Sequence, residues 1–166
     1  MMLQIIRAAR SQLPVIHELA YIIWPKAYKD LLSPEQITYM LKLMYSMEEL
    51  TNLFEKEGHR FLLAMEDEHP VGFALYHPKD DEPGISRLNK LYVLPELNGK
   101  GIGKKLMDFI VQDISHRGFT SIELNVKRNN PAVGFYKRLG FEVISEVNID
   151  IGSGYFMNDY IMARVL

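Results

Sequence analysis

Apolar positions along the chain recur at two periods, and the switch between them marks out strands and helices. Residues 3–7, with Leu3, Ile5 and Ile6, read as a short opening strand. Residues 11–23 read as a helix, with Ser11 as N-cap and Pro14 tolerated in the first turn. Ser33-Pro34-Glu35-Gln36 has capping-box spacing and opens a second helix that runs to about Met44. Ser46-Met47-Glu48-Glu49 repeats the device for a third helix ending near Lys56. Residues 61–65 and 71–76 are apolar runs joined by a polar turn at 66–70, the pattern of a β-hairpin.

After a polar loop at 80–84, residues 86–94 read as a strand. Ile102, Leu106, Phe109, Ile110 and Ile114 fall at helical spacing, which predicts an amphipathic helix over 103–117 ended by Gly118. Residues 121–126 are the next strand. Pro131 suits the first turn of a helix running to Leu139, and Gly140 stops it. Residues 142–151 and 155–165 are closing strands around Gly152, Ser153 and Gly154. This order predicts an α/β architecture, a mixed sheet with helices on both faces.

Composition narrows the partners. A length of 166 residues with 48% hydrophobic content predicts a single domain, 1–166, with a sizeable core. Nineteen basic against twenty-one acidic residues leave a net charge of −2, which argues against nucleic acid. The chain starts without a signal-peptide pattern, and no apolar run approaches the roughly 20 residues that cross a bilayer. A cytoplasmic protein with no membrane partner is expected. The sequence has no cysteine, which excludes disulfides, thiolate metal sites and an acyl-cysteine intermediate. Five histidines are scattered without metal-ligand spacing, so no metal is expected.

The strongest chemical signal is Asn98, Gly99, Lys100, Gly101, Ile102, Gly103 and Lys104, between the strand at 86–94 and the helix at 103–117. Glycines let the backbone approach a ligand and aim successive N–H groups at it. The helix start adds unpaired donors and a positive dipole end, so a phosphate or pyrophosphate fits. A P-loop is excluded, because Gly103-Lys104 is followed by Lys105 and its first glycine would be Asn98. A dinucleotide fingerprint is excluded, because its third glycine would be Lys104.

Residues 98–103 resemble the pyrophosphate loop of the GNAT N-acetyltransferases, usually Gln/Arg-x-x-Gly-x-Gly/Ala, with Asn98 in place of Gln or Arg. Downstream, Asn129, Ala132, Tyr136, Gly140 and Phe141 match the GNAT run Asn-x-x-Ala-x-x-x-Tyr-x-x-x-Gly-Phe. The resemblance covers residues 86–141. It implies a GNAT fold, a central twisted sheet of about seven mostly antiparallel strands. It implies acetyl-coenzyme A as co-substrate and an amine as acceptor. The pantetheine arm would pair with the strand edge at Leu91, Tyr92 and Val93, as an added strand does. Backbone from Gly99 to Lys104 would hold the pyrophosphate, with Lys100, Lys104 or Lys105 meeting the remaining charge. Asn129 would contact the coenzyme and Tyr136 would be the general acid. Asn130, just before Pro131, suits an N-cap, and the two asparagines can exchange roles.

Without cysteine, direct transfer is simpler than a covalent relay. The general base stays open. Asn89 stands where the family usually has a strand glutamate, leaving a water relay, Glu123, Asp80, Asp81 or Glu82 as candidates. The acceptor region, 21–56, carries Trp24, Tyr28, Tyr39, Tyr45 and several methionines, which suit an alkyl chain. Asp30, Glu48 and Glu49 could draw the charges of a polyamine. Segments 39–50 and 159–164 resemble the bacterial polyamine acetyltransferase branch. A primary amine on a small molecule is the expected acceptor. The alternatives are N-terminal acetylation of a peptide or ribosomal protein, and a non-catalytic acetyl-coenzyme A-binding module. The closing strands offer an edge at which a homodimer could form.

Overall fold

A computed structural model describes residues 2–166. In chain order the elements are β1 (Leu3–Arg7), α1 (Leu13–Ala27), α2 (Pro34–Tyr45), α3 (Met47–Glu55), β2 (Arg60–Glu66), β3 (His69–Pro78) and β4 (Ile85–Val93). They continue with α4 (Ile102–His116), β5 (Ser121–Lys127), α5 (Ala132–Arg138), β6 (Glu142–Gly152) and β7 (Tyr155–Val165). The strands form one seven-stranded sheet in the order β1-β2-β3-β4-β5-β7-β6. Every neighbouring pair is antiparallel except β4 and β5, which run parallel.

Local chemistry accounts for most of the boundaries. Ser33 Oγ accepts from the Gln36 N–H at 3.1 Å, and Ser46 Oγ accepts from the Glu49 N–H at 3.2 Å, so both serines cap their helices, without the return bond from residue 36 or 49 that would complete a capping box. The start of α1 differs from expectation. Ser11 lies inside a short 3-10 turn, and the Ala9 N–H donates to Gln12 Oε1 at 2.8 Å instead. The helix also runs past Pro25 to Ala27. Pro25 forfeits only the bond to the Tyr21 carbonyl, and both residues are exposed, so water can take that carbonyl.

The two faces carry separate cores. Helices α1, α2 and α3 cover one face, where Ile16, Ile23, Trp24, Leu41 and Tyr45 pack with Phe61, Phe73 and Leu75. Helix α4 covers the other through Leu106, Ile110 and Ile114, against Leu62, Ala74 and Tyr76. Every large side chain among these is buried. The β6–β7 hairpin lies at one end of the sheet, with β6 outermost and largely exposed. Its tip is tied to α2, because Tyr39 Oη donates to the Ile151 carbonyl at 2.6 Å and the Tyr39 ring packs on Tyr155.

That tie is testable. Tyr39→Phe removes one part-buried hydrogen bond and leaves the ring, so unfolding in urea should show a loss of about 1 kcal/mol with an unchanged m-value.

Candidate functional site

One irregularity in β4 positions the site. Leu75 pairs with Lys90 while Tyr76 pairs with Leu88, so Asn89 is an extra residue in β4. Such a bulge reverses which face the following side chains take. Leu88 therefore packs with Tyr76 on the α4 face, whereas Arg87, Lys90 and Tyr92 all turn toward the α1–α3 face. Parallel pairing of β4 with β5 covers only Ile85–Ser121 to Leu88–Leu124. Beyond that point the two strands part.

The gap opens into a cleft of about 780 Å³. Leu91, Tyr92 and Val93 line it from β4, and Asn125, Val126 and Lys127 line it from β5. At one end lies the glycine turn, with Asn98, Gly99, Gly101, Ile102, Gly103 and Lys104 on the cleft wall. Gly101 caps α4 with φ +80°, a left-handed conformation that side chains resist. A Cβ at Gly103 would meet Phe135 Cζ at 3.0 Å, so glycine there lets α5 close on the start of α4. Lys100 is exposed and outside the cleft lining, and the Lys104 ammonium is 2.8 Å from Asp108.

Tyr136 lines the cleft between Phe135 and Phe141, with ring centroids 5.2 and 5.6 Å away. Burial pushes its phenol pKa up, so it keeps its proton throughout the neutral range. The two asparagines separate clearly. Asn129 is exposed and outside the cleft lining, while Asn130 lines it. Asn130 Oδ1 accepts from the Ala132 N–H at 2.9 Å, and its amide donates to Tyr28 Oη at 3.5 Å. Tyr28 Oη in turn shares a 2.8 Å hydrogen bond with Tyr92 Oη.

None of the acids considered from sequence as a base lines the cleft. Glu123 is buried but bound by Lys79 Nζ at 3.0 Å, Glu82 is held by the same ammonium at 2.7 Å, and Asp80 and Asp81 are exposed. Asn89 reaches His77 Nε2 at 3.3 Å. Asp30 is exposed away from the cleft, and Glu48 and Glu49 line a separate shallow depression beside α2 and α3.

Sequence reasoning missed the carboxylate that does line the cleft, Asp159 on β7, which is 2% exposed. It accepts from Asn125 Nδ2 at 3.4 Å, and Asn125 Oδ1 accepts from Arg87 Nη2 at 2.6 Å. Burial raises the Asp159 pKa, and the Asn125 hydrogen bond and nearby cations oppose that rise. The signal for it was faint: a lone acid near the middle of β7, two residues from Met157 and from Ile161. Lys90 was missed as well. Its side chain is buried on the cleft wall, with Nζ 4.3 Å from the centre of the Tyr45 ring. Desolvation lowers its pKa to about 8.

The sequence profile of the Acetyltransferase (GNAT) family matches residues 16–141. The chain belongs to the GNAT acetyltransferase family. It is an acyltransferase whose co-substrate is acetyl-coenzyme A. The peptidyl-lysine N-acetyltransferase YjaB of Salmonella typhimurium is 32% identical over 111 residues, 66% of this chain and 68% of that protein. The [ribosomal protein bS18]-alanine N-acetyltransferase of Haemophilus influenzae is 27% identical over 106 residues, 63% of this chain and 67% of that one. Among solved structures, the PaiA N-acetyltransferase of Thermoplasma acidophilum in complex with coenzyme A is 26% identical with a TM-score of 0.85, covering 100% of both chains. Among the described residues of this GNAT chain, no helix is long and apolar enough to cross a membrane, and no cluster of three potential metal ligands occurs.

The buried lysine carries a pH signature. Its folded pKa of about 8 lies below the ordinary 10.5, so the unfolded chain holds more protons between those values. Stability from this group therefore rises with pH across that window, and the burial penalty acts in full below it. Lys90→Met should raise Tm at pH 7 by roughly 5 °C and remove the lysine's contribution to the rise between pH 8 and 10, read by thermal melts across pH.

Proposed function

We propose that this protein acetylates a primary amine on a small molecule by direct transfer. The observation that carries this reading is Asp159, a buried carboxylate, in the same cleft as the buried phenol of Tyr136. An alkylamine is mostly protonated at neutral pH, with a pKa near ~10, so something must take its proton before it attacks. Asp159 is the base. A raised pKa brings it closer to the working pH, where a general base is most effective. Tyr136 is the acid, with a phenol that keeps its proton until a thiolate departs. Acetyl-coenzyme A supplies the activated acyl group and the sulfur leaving group. Backbone of Gly99, Gly101, Ile102, Gly103 and Lys104 at the start of α4 holds the pyrophosphate. The β4 edge at Leu91, Tyr92 and Val93 receives the pantetheine amides. Asn130 takes the place in the cleft that the motif gives to Asn129.

The enclosing apolar wall of Trp24, Met40 and Met44 supports a small acceptor. A polyamine finds less support, because Asp159 is the cleft's one carboxylate among the described residues. A peptide amine is the second reading, favoured by the activities named for the Salmonella and Haemophilus relatives.

Two variants divide the roles. Asp159→Asn should lower kcat by roughly 10²-fold at pH 7.5, with a residual rate that climbs as the amine deprotonates itself. Tyr136→Phe should lose a similar factor without that climb. Thiol release followed from pH 6.5 to 9.5 reads both, and unchanged turnover in either variant removes that residue from the mechanism. For the loop, Gly101→Glu should place charge and bulk in the pyrophosphate cradle and abolish the rise in Tm on adding acetyl-coenzyme A. A wild-type thermal shift in that variant counts against the loop assignment.

A further inference from the structure

The register of the closing hairpin puts an apolar step beside Asp159. On β7, Asp159 lies opposite Val147 of β6, and one step toward the hairpin tip Met157 lies opposite Ile149. Residues two apart in a strand share a face, and so do directly paired residues. Asp159, Met157 and Ile149 therefore share one face, with a rise of roughly 7 Å from Asp159 to Met157. All three are on the cleft wall. Met157 packs against the α1–α3 core, whereas Ile149 is 39% exposed. A large aliphatic side chain left open inside a cleft is covered favourably by an apolar ligand.

Helix α2 lines the cleft beside this step. Gln36, Met40 and Met44 recur every fourth residue along it and form one stripe on the wall. The hairpin is held to that helix at its tip, where Tyr39 Oη donates to the Ile151 carbonyl. A Cβ on Gly152 would lie 2.7 Å from the same hydroxyl, so glycine there admits the contact.

The charges lie away from the step. Arg87, Lys90 and Lys127 belong to β4 and β5, on one side of β7, and Ile149 belongs to β6 on the other. Lys127 is paired with Asp159 across the β5–β7 ladder, and it acts on that carboxylate with Arg128 and Arg87. The remaining cations of the wall, Lys104 and Arg138, come from α4 and α5. Asp150, the next acid toward the tip, falls between Ile149 and Ile151, off the cleft wall, and accepts from the Gly152 N–H at 2.9 Å. A substrate with one ammonium can pair with Asp159. A second ammonium would rest on Met157 and Ile149 or among the cations, with no carboxylate to meet it. A carboxylate at the far end of the tail would lose its water on the same two aliphatic side chains.

We propose that the acceptor is a primary amine with an uncharged apolar tail, its nitrogen beside Asp159 and its tail on Met157 and Ile149. The proposal rests on the N-acetyltransfer reading above and names its substrate class. In the reaction the amine passes one proton to Asp159 and its lone pair forms the N–C bond. The C–S bond breaks with its electrons on sulfur, and the Tyr136 proton goes to that sulfur. Met157 and Ile149 touch the tail alone and determine specificity.

Hexylamine, hexamethylenediamine and ε-aminocaproate test this, because they share a chain length and differ at the far end: apolar, cationic or anionic. Thiol release gives kcat/KM for each with wild type and with Ile149→Glu, a change at an open position of the edge strand. In the wild type hexylamine should exceed both charged analogues by at least roughly tenfold. In Ile149→Glu hexylamine should fall and the diamine rise, until the two agree within about twofold. A charged analogue that matches hexylamine in the wild type overturns the proposal. So does a hexylamine preference undiminished in Ile149→Glu, or a protein that neither binds nor acetylates hexylamine. Titration calorimetry with coenzyme A-saturated protein reads the underlying function separately. Hexylamine bound in preference to its analogues but never acetylated sinks acetyl transfer and leaves the tail site standing. An analogue acetylated faster than hexylamine does the reverse.

Discussion

Two parallel strands that stop pairing after four residues set the terms for everything else here. Parallel neighbours normally continue side by side until a loop takes them apart, because each unpaired N–H and C=O left inside a protein costs about as much as a lost hydrogen bond. β4 and β5 instead pair only as far as Leu88 and Leu124, and their edges then face a cleft. The separation is held from both sides. α4 and α5 close on each other at Gly103 and Phe135, and α1 and α2 close the other face. A molecule with amides spaced along an extended arm can satisfy those edges, which is the role proposed above for the pantetheine arm.

The charges follow from the bulge. Without the extra residue at Asn89, the two-residue period of a strand would place Lys90 on the same face as Leu88, against the α4 core. With it, Arg87, Lys90 and Tyr92 share a face with Asn125 and Asp159 from two further strands. A ladder of polar groups then crosses the sheet inside an otherwise apolar cleft. Low local polarity makes each of these groups matter more, and it moves Lys90 and Asp159 in opposite directions toward neutrality.

The parts that were legible in the sequence are those whose cause is local. Ser33 and Ser46 cap the residues three positions on, Gly101 adopts a positive φ within its own turn, and amphipathic spacing marks α4. The glycine turn and the Tyr136 run could be read because their neighbours in space are also neighbours in sequence. Register is different. The bulge at Asn89 depends on β3, and the closeness of Asp159 to the cleft depends on β7 lying against β5. No short-range pattern encodes either. That Asn130 and not Asn129 lines the cleft has a similar origin, because α5 begins only at Ala132 and the residue that caps it also turns toward Tyr28.

The strand order also bears on when the cleft comes into being during synthesis. β7 follows every other element in the chain, yet it lies between β5 and β6 in the sheet. Until it arrives, β6 has no neighbour to pair with, Asp159 is missing, and Tyr39 has no hairpin tip to hold. The N-terminal helices and β1–β4 are made first, ahead of β5, β6 and β7. The half of the cleft they present stays open until the closing hairpin slots in. A growing chain therefore carries the glycine turn well before it carries Asp159, and the lining of the cleft is complete only with the final strand.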